Sequence, residues 1–212
     1  MIETATGIIL RTRPLTETSL ILHWLTTDFG RLATVAKGAR RQKSPFAGRL
    51  DLFYVADFSF SRSRSSELHN LREVNVRETH EAIRGDIMKL QQAAYATAIV
   101  EQATETDTPL PEIFRLTRDF LKSLCELDPL PQNIFAFELK LLRELGLEPD
   151  MAEAHLTPGA KKIVAALMDV GRGGGPRLIL TEPQNQELRQ WLHGFLIYNL
   201  GKIPRGRNAA VA

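Results

Sequence analysis

Cysteine is almost missing from this sequence. Cys125 is the single one in 212 residues, so an intrachain disulfide framework and a multi-cysteine zinc site are both excluded. Long apolar runs are missing too, and none approaches the ~18–20 residues that span a bilayer. The opening residues, MIETATGIILRTRP, lack a basic leader, an extended apolar core and a small-residue cleavage site. With ordinary apolar and charged fractions of 43% and 25%, these absences point to a soluble, cytoplasmic, globular chain.

Catalytic constellations are equally scarce. The glycine run GRGGGP at 171–176 has no following Lys-Ser/Thr, and Pro176 takes the last glycine position of G-x-G-x-x-G. It also follows a helical pattern rather than a strand, so it reads as a flexible linker, not a phosphate loop. His23, His69, His80, His155 and His193 are scattered, without H-x-x-x-H or H-E-x-x-H spacing. Cys125 lies beside the apolar stripe of its helix and reads as a packed thiol. No G-x-S-x-G elbow occurs, and the carboxylates of 101–153 fall at helix ends and on polar faces. We therefore expect a protein that is not an enzyme and that uses no cofactor or metal.

What is present is charge, unevenly placed. The net +2 conceals twelve Lys and Arg against eight Asp and Glu in residues 1–80. In 101–153 the count is five against twelve, and in 172–207 six against two. The stretch 31–50, RLATVAKGARRQKSPFAGRL, holds six cations and no carboxylate. Surfaces of opposite sign suggest separate partners, and a basic one suits a polyanion.

The first eighty residues read as five strands. TATGIILRTR, SLILHWLT, RLATVAKG, RLDLFYVADFSFS and ELHNLREV are rich in β-branched or aromatic residues, with polar or glycine-containing turns between them. Five strands in this length predict a small barrel of the oligonucleotide-binding (OB) type. In the fourth strand, alternation places Leu52, Tyr54, Ala56, Phe58 and Phe60 inside. Phe46 in the basic loop and Phe53 on the mixed face are the better candidates for base stacking.

From about Glu81 the period becomes helical. Ile83, Ile87, Leu90, Ala94 and Ala98 form one stripe, and Ile113, Leu116, Phe120, Leu124 and Leu127 a second. NIFAFELKLLRELG is apolar over most of its circumference, which predicts the centre of a bundle, with Gly146 as its stop. Thr157-Pro158, and Thr181 with Gln184, mark two further helix starts. The fold class is α+β: an N-terminal five-stranded OB-fold barrel (1–80) followed by an all-α helical domain (81–201). Residues 202–212 are expected to be a basic, flexible tail.

Arg31 and Lys37 are six apart on a strand and so share a face. Lys37-Gly-Ala-Arg-Arg-Gln-Lys then sets four cations in seven residues, and Arg11 and Arg13 share a face of the first strand. Cations so dense repel one another, and phosphates would relieve that repulsion while releasing condensed counterions. The candidate nucleic-acid contacts are Arg11, Arg13, Arg31, Lys37, Arg40, Arg41 and Lys43, read as one cationic ridge. Lys202, Arg205 and Arg207 are candidates for a second, looser contact. These residues alone leave open an RNA-binding OB protein of translation or RNA metabolism, or a pure interaction scaffold.

The run RPLTETSLILHWLTTDFGRLATVAKGARRQKSPFAGRLDLF, residues 13–53, resembles the N-terminal domain of the RecO family of bacterial DNA-repair and recombination mediators. Arg13-Pro14, Glu17-Thr18-Ser19, Thr26 followed by Gly30, Lys37-Gly38-Ala39-Arg40, Ser44, and Gly48 before Leu50 carry the resemblance. FELKLLRELGLEPD (137–150) and LRQWLHGFLIYNLG (188–201) are similar to the central and closing helices of the family's C-terminal domain.

The resemblance implies an OB fold joined to a helical domain, in a nucleoid-associated cytoplasmic protein. It implies binding of single- and double-stranded DNA without strong sequence preference, and annealing of complementary strands. It further implies loading of RecA onto DNA covered by single-strand-binding protein, with RecR and sometimes RecF. The helical domain would hold the acidic tail of single-strand-binding protein. Arg115, Arg118 and Lys122 recur along one helix as a candidate rim for that tail, although ordinary pairing with Glu112, Asp119 or Glu126 is the simpler account. One departure stands out: many members carry a four-cysteine zinc module after the central helix. Here DMAEAHLTPG (150–159) has no cysteine, so zinc is not expected.

Overall fold

Five strands close into a barrel: β1 (Ile2–Pro14), β2 (Leu20–Thr26), β3 (Arg31–Ala36), β4 (Val55–Ser61) and β5 (Leu68–Glu78). Around the barrel the order is β1-β2-β3-β5-β4, with β4 pairing back onto β1. All pairs are antiparallel except β3–β5, which is parallel. This is the OB-type barrel expected from the strand count. The computed structural model describes residues 1–169 and 178–212, so the glycine run at 171–176 lies outside the described residues.

Alternation fills the interior. Ile9, Leu22, Trp24, Leu32, Ala56, Phe58, Phe60, Leu71 and Val74 form its core. Trp24 stacks on Phe58 with ring centroids 4.1 Å apart, and its indole N–H donates to Thr34 Oγ1 at 2.9 Å. The one polar atom of that ring is thus satisfied inside an apolar core. Burying each large apolar side chain of this set contributes about 1.5–3 kcal/mol.

The fourth strand departs from its expected pattern. It starts at Val55, because Phe53 adopts φ 69° and its N–H donates to the Ile9 carbonyl at 2.9 Å. A left-handed residue breaks the two-residue period, so the alternation cannot be run backwards through it. Ala56, Phe58 and Phe60 are buried as expected, but Phe53 is 1% exposed while Leu52 is only partly buried. Phe46 is also inside, as a member of the barrel core. Neither Phe46 nor Phe53 is free to stack on a base.

Residues 101–114 group with 1–80 as one unit, and 81–100 group with 115–212 as the other. In the barrel unit, the segment after residue 103 runs along the start of β3. Arg31 bridges Thr106, and the Asp107 N–H donates to the Arg31 carbonyl at 3.0 Å. Gly30, at φ 64°, allows the approach: a Cβ there would lie 1.9 Å from the Thr108 carbonyl oxygen.

The helices are α1 (Ile87–Ala103), α2 (Pro111–Glu126), α3 (Pro131–Glu144), α4 (Pro158–Asp169), α5 (Glu182–Leu200) and a four-residue α6 (Arg207–Ala210). None is long and apolar enough to cross a membrane among the described residues. α3 is buried at every position from Ile134 to Leu142, as its central place requires, the charged Glu138 and Lys140 included. It stops at Gly146, φ 73°, with Leu147 N–H to Leu142 O and Gly146 N–H to Arg143 O, a Schellman cap. Gln184 Oε1 accepts the Thr181 N–H at 2.9 Å, and Thr157 Oγ1 accepts the Ala160 N–H at 3.2 Å. Both helix starts therefore have the caps their sequence announces.

Two expectations fail in the helical unit. The stripe Ile87, Leu90, Ala94, Ala98 is not the buried face of α1: Ile87 is 65% exposed and Ala94 is exposed. Gln92, Ala93, Tyr95, Ala96, Thr97, Ile99 and Val100 are buried instead. Residues 202–212 are also not a uniformly loose tail. Arg207 is 3% exposed, and its Nε and Nη2 donate to the two oxygens of Glu138 at 2.7 and 2.8 Å. The Tyr95 hydroxyl donates to the same carboxylate at 2.6 Å, while Ala210 and Val211 are fully buried. Burial opposes the charge of Arg207, but the Glu138 hydrogen bonds and charge outweigh it and raise its pKa. Burial first, then the Glu138 charge, pushes the Tyr95 hydroxyl far above the ordinary phenol range. Arg207 is a structural pin and is withdrawn as a nucleic-acid contact.

Candidate nucleic-acid interface

The loop from Lys37 to Tyr54 is a chain of tight turns. Arg41 N–H reaches Gly38 O, Ser44 N–H reaches Arg41 O, Ala47 N–H reaches Ser44 O, and Arg49 N–H reaches Phe46 O, at 3.0–3.2 Å. Gly38 and Gly48, both at φ 71°, supply left-handed conformations that other residues rarely take. Phe46 anchors the middle of the loop in the barrel core. Arg40 anchors its start: the N–H donates to Thr18 O at 3.0 Å and Nη1 to Thr16 O at 3.3 Å. These contacts hold the loop, and its charges are displayed from a fixed backbone.

Lys37, Arg40, Arg41 and Lys43 are all exposed. None of the four meets a carboxylate among the described residues; Arg40 touches backbone carbonyls only. Arg49 follows with Nη1 on the Val74 carbonyl at 3.2 Å.

The other three candidates on the barrel have a different setting. Along β3, Leu32, Thr34 and Ala36 point inward, so Arg31 is on the outer face, while Lys37 comes after the strand has ended. Arg31 is half-buried, and both Nε and Nη2 donate to the Thr104 carbonyl at 3.0 and 2.6 Å. Arg11 Nη2 lies 2.9 Å from Glu101 Oε1, and His23 Nδ1 donates to that same oxygen at 3.1 Å. Arg13 is exposed on the same face. These residues line a pocket of about 470 Å³ that also includes Glu67, Glu101, Thr106 and Asp107. The predicted single ridge is thus two groups: an uncompensated loop, and a face on which Glu101 pairs with Arg11 and His23 and Arg31 grips a backbone carbonyl, with Glu67 and Asp107 lining the same pocket.

Electrostatics follow that division. Burial alone would push the Glu101 carboxyl up. The His23 hydrogen bond and the charges of Arg11, His23 and Arg31 outweigh it and hold the carboxyl below its ordinary range. Burial, aided by the Arg11 charge and opposed by Glu101, lowers the Arg31 pKa. Glu101, His23 and the 104–107 segment escaped the sequence reading. The only signals were an acidic residue ending an apolar helix and an acidic excess in 101–153. No spacing connects position 101 to position 11.

Elsewhere, Lys202 and Arg205 are exposed, unlike Arg207. Arg115, Arg118 and Lys122 are exposed along α2 at spacings of three and four. Cys125 is partly buried, with Sγ donating to the Leu121 carbonyl at 3.5 Å, as a packed thiol does. No group of three or more His, Cys, Asp or Glu able to hold a metal occurs among the described residues.

Comparison with known proteins matches both halves of this arrangement. The family described as Recombination protein O N terminal matches residues 1–80, and that described as Recombination protein O C terminal matches 84–157. The chain belongs to the RecO family. It is similar to the DNA repair protein RecO of Exiguobacterium sibiricum, 34% identical over 71% of this chain and 60% of the relative. The DNA repair protein RecO of Rhodopirellula baltica is 32% identical, over 68% of this chain and 53% of the relative. The match thus spans little more than half the length of these two RecO proteins. That of an Anaeromyxobacter species is 28% identical, but over 93% of this chain and 91% of its own.

Proposed function

We propose that this chain is a DNA-repair and homologous-recombination mediator whose barrel holds the sugar-phosphate backbone of single- and double-stranded DNA. The observation that carries the reading is the loop in which Lys37, Arg40, Arg41 and Lys43 are exposed without a carboxylate partner among the described residues. Charges about a Debye length apart or closer repel, and phosphates convert that repulsion into attraction while releasing counterions. Two strands held at one such surface repel each other less and meet locally, which favours annealing. The loop has no free aromatic, so backbone contact rather than base stacking dominates, and sequence preference is weak.

Membership of the RecO family supports extending the reading to its partners. In this proposal RecR, in some settings RecF, and the acidic tail of single-strand-binding protein are the protein partners, and RecA loading is the outcome. Arg115, Arg118 and Lys122 form the rim that meets the tail, and Lys202 with Arg205 adds a weaker DNA contact. The protein works in the cytoplasm, at the nucleoid, by binding and not by chemical turnover.

The test is single-strand affinity against salt for wild type and the Lys37→Ala/Arg40→Ala/Arg41→Ala variant. A large loss with a shallower salt dependence supports the reading, and unchanged affinity and slope remove it. Preference for structured RNA over single-stranded DNA in competition would move the protein to RNA metabolism.

A further inference from the structure

The outer face of β1–β3 has the parts of an anion site and is nevertheless filled. Arg11, Arg31 and His23 converge there, with Arg13 beside them on β1. The pairing registers place Arg11 opposite His23 and His23 opposite Ala33, with Arg31 two residues before Ala33 on the same face of β3. His23 Nε2 is buried and has no hydrogen-bond partner among the described residues. A phosphate would suit such a row. The anion present is Glu101: one oxygen meets both Arg11 at 2.9 Å and His23 at 3.1 Å, and its side chain is only 17% exposed.

We infer that Glu101 is an internal phosphate surrogate, which closes the β1–β3 face to nucleic acid and confines the strand to the Lys37–Lys43 loop. This rests on the nucleic-acid-binding reading above and deepens it, by naming the residue that decides which cations a strand can use. The backbone fixes the surrogate in place. Arg31 grips the Thr104 carbonyl, Asp107 bonds the Arg31 carbonyl, and Gly30 admits Thr108. Asp107 and Glu67 add negative charge at the same pocket, and Asp107 also pairs with Arg62 at 3.2 Å. A strand approaching this face meets Arg11 and Arg31 already held from within, while four cations with no carboxylate partner among the described residues lie in the adjoining loop.

The test measures binding of labelled oligo-deoxythymidylate by the full chain against salt concentration. Glu101→Gln keeps shape and hydrogen-bonding capacity but removes the charge. It should tighten binding about three- to tenfold at low salt. Its salt slope should steepen by about 0.7–1.4, the increment for one or two further phosphates on a single strand. Adding Arg11→Ala to the Glu101→Gln background should cancel that gain, whereas Arg11→Ala in wild type should change affinity less than twofold. An unchanged slope in a Glu101→Gln protein that retains its thermal unfolding midpoint would overturn the inference. So would an Arg11→Ala loss in wild type as large as that of a single loop alanine, a measurement that holds even if Glu101→Gln folds poorly. The Lys37→Ala/Arg40→Ala/Arg41→Ala variant, run alongside, fails or succeeds independently and reports on the loop reading alone.

Discussion

Lys37, Arg40, Arg41 and Lys43 carry four positive charges that no carboxylate touches among the described residues, whereas Arg11, Arg13 and Arg31 share a pocket with Glu67, Glu101 and Asp107. Both groups belong to the barrel unit, the first packed into seven residues and the second drawn from two strands. They differ in what the rest of the fold brings to them. The loop is pinned at Arg40, Phe46, Arg49 and Phe53, yet Lys37, Arg41 and Lys43 reach into water. The strand face is crossed by residues 101–107, which supply a carboxylate and a carbonyl at hydrogen-bonding distance. Charge density along a chain therefore locates cations but does not say which are spoken for. Cations answered from within hold the fold, and those left unanswered remain for a partner.

If that rule is right, the most deeply answered cation should show the largest effect on stability. Arg207→Ala leaves Glu138 buried without its partner and should cost about 3–5 kcal/mol in chemical denaturation, since breaking a buried pair strands a charge. Its oligonucleotide salt slope, measured where the protein is folded, should stay at the wild-type value. Next comes the opposite case. Removing Lys37, Arg40 and Arg41 together should lower single-strand affinity on the order of 10²-fold at low salt. The slope should fall by about 2, at ~0.7 per phosphate, with the unfolding midpoint nearly unmoved. An equal affinity loss on removing Arg11 and Arg31 would erase the distinction between the two regions.

Smaller effects sharpen the comparison. Arg31→Ala removes a charged donor from the Thr104 carbonyl and should cost about 1.5–3 kcal/mol of stability by calorimetry, with little change in DNA affinity. Acidification should separate the regions last. The Glu101 carboxyl is held below its ordinary range, so the stability it confers is full above the unfolded pKa. That stability is lost as pH falls through the folded pKa, from near pH 4 downward. The urea midpoint of wild type should therefore drop in that window by more than that of Glu101→Gln, and parallel curves would count against the contact.

Much of the fold was legible because it depends on short-range periodicity. Residues 56–61 alternate between a dry and a wetter face, and α3 is apolar over most of its circumference, so each declares its place. Where the period is interrupted the reading failed. Phe53 at φ 69° resets the phase before β4, so an extrapolated alternation put Leu52 inside and Phe53 out. α1 failed for another reason. Its alanines cost little on either side of a helix, and the buried Gln92 donates to the carbonyls of Leu130 and Ala210, which no apolar pattern can announce. Arg207 was misplaced because a basic segment near the end of a sequence looks frayed until a buried carboxylate sixty-nine positions earlier is seen to hold it.

Taken alone, the amino-acid order determined the barrel-then-helices architecture and the crowding of cations at 31–50. Both are properties of neighbours along the chain, set by the pleat, the helical turn and the local composition. Only the folded molecule decided which cations remain uncompensated. Long-range contact brings Glu101 to Arg11, Thr104 to Arg31 and Glu138 to Arg207, and the strength of each meeting depends on distance and burial in space, not on separation in sequence.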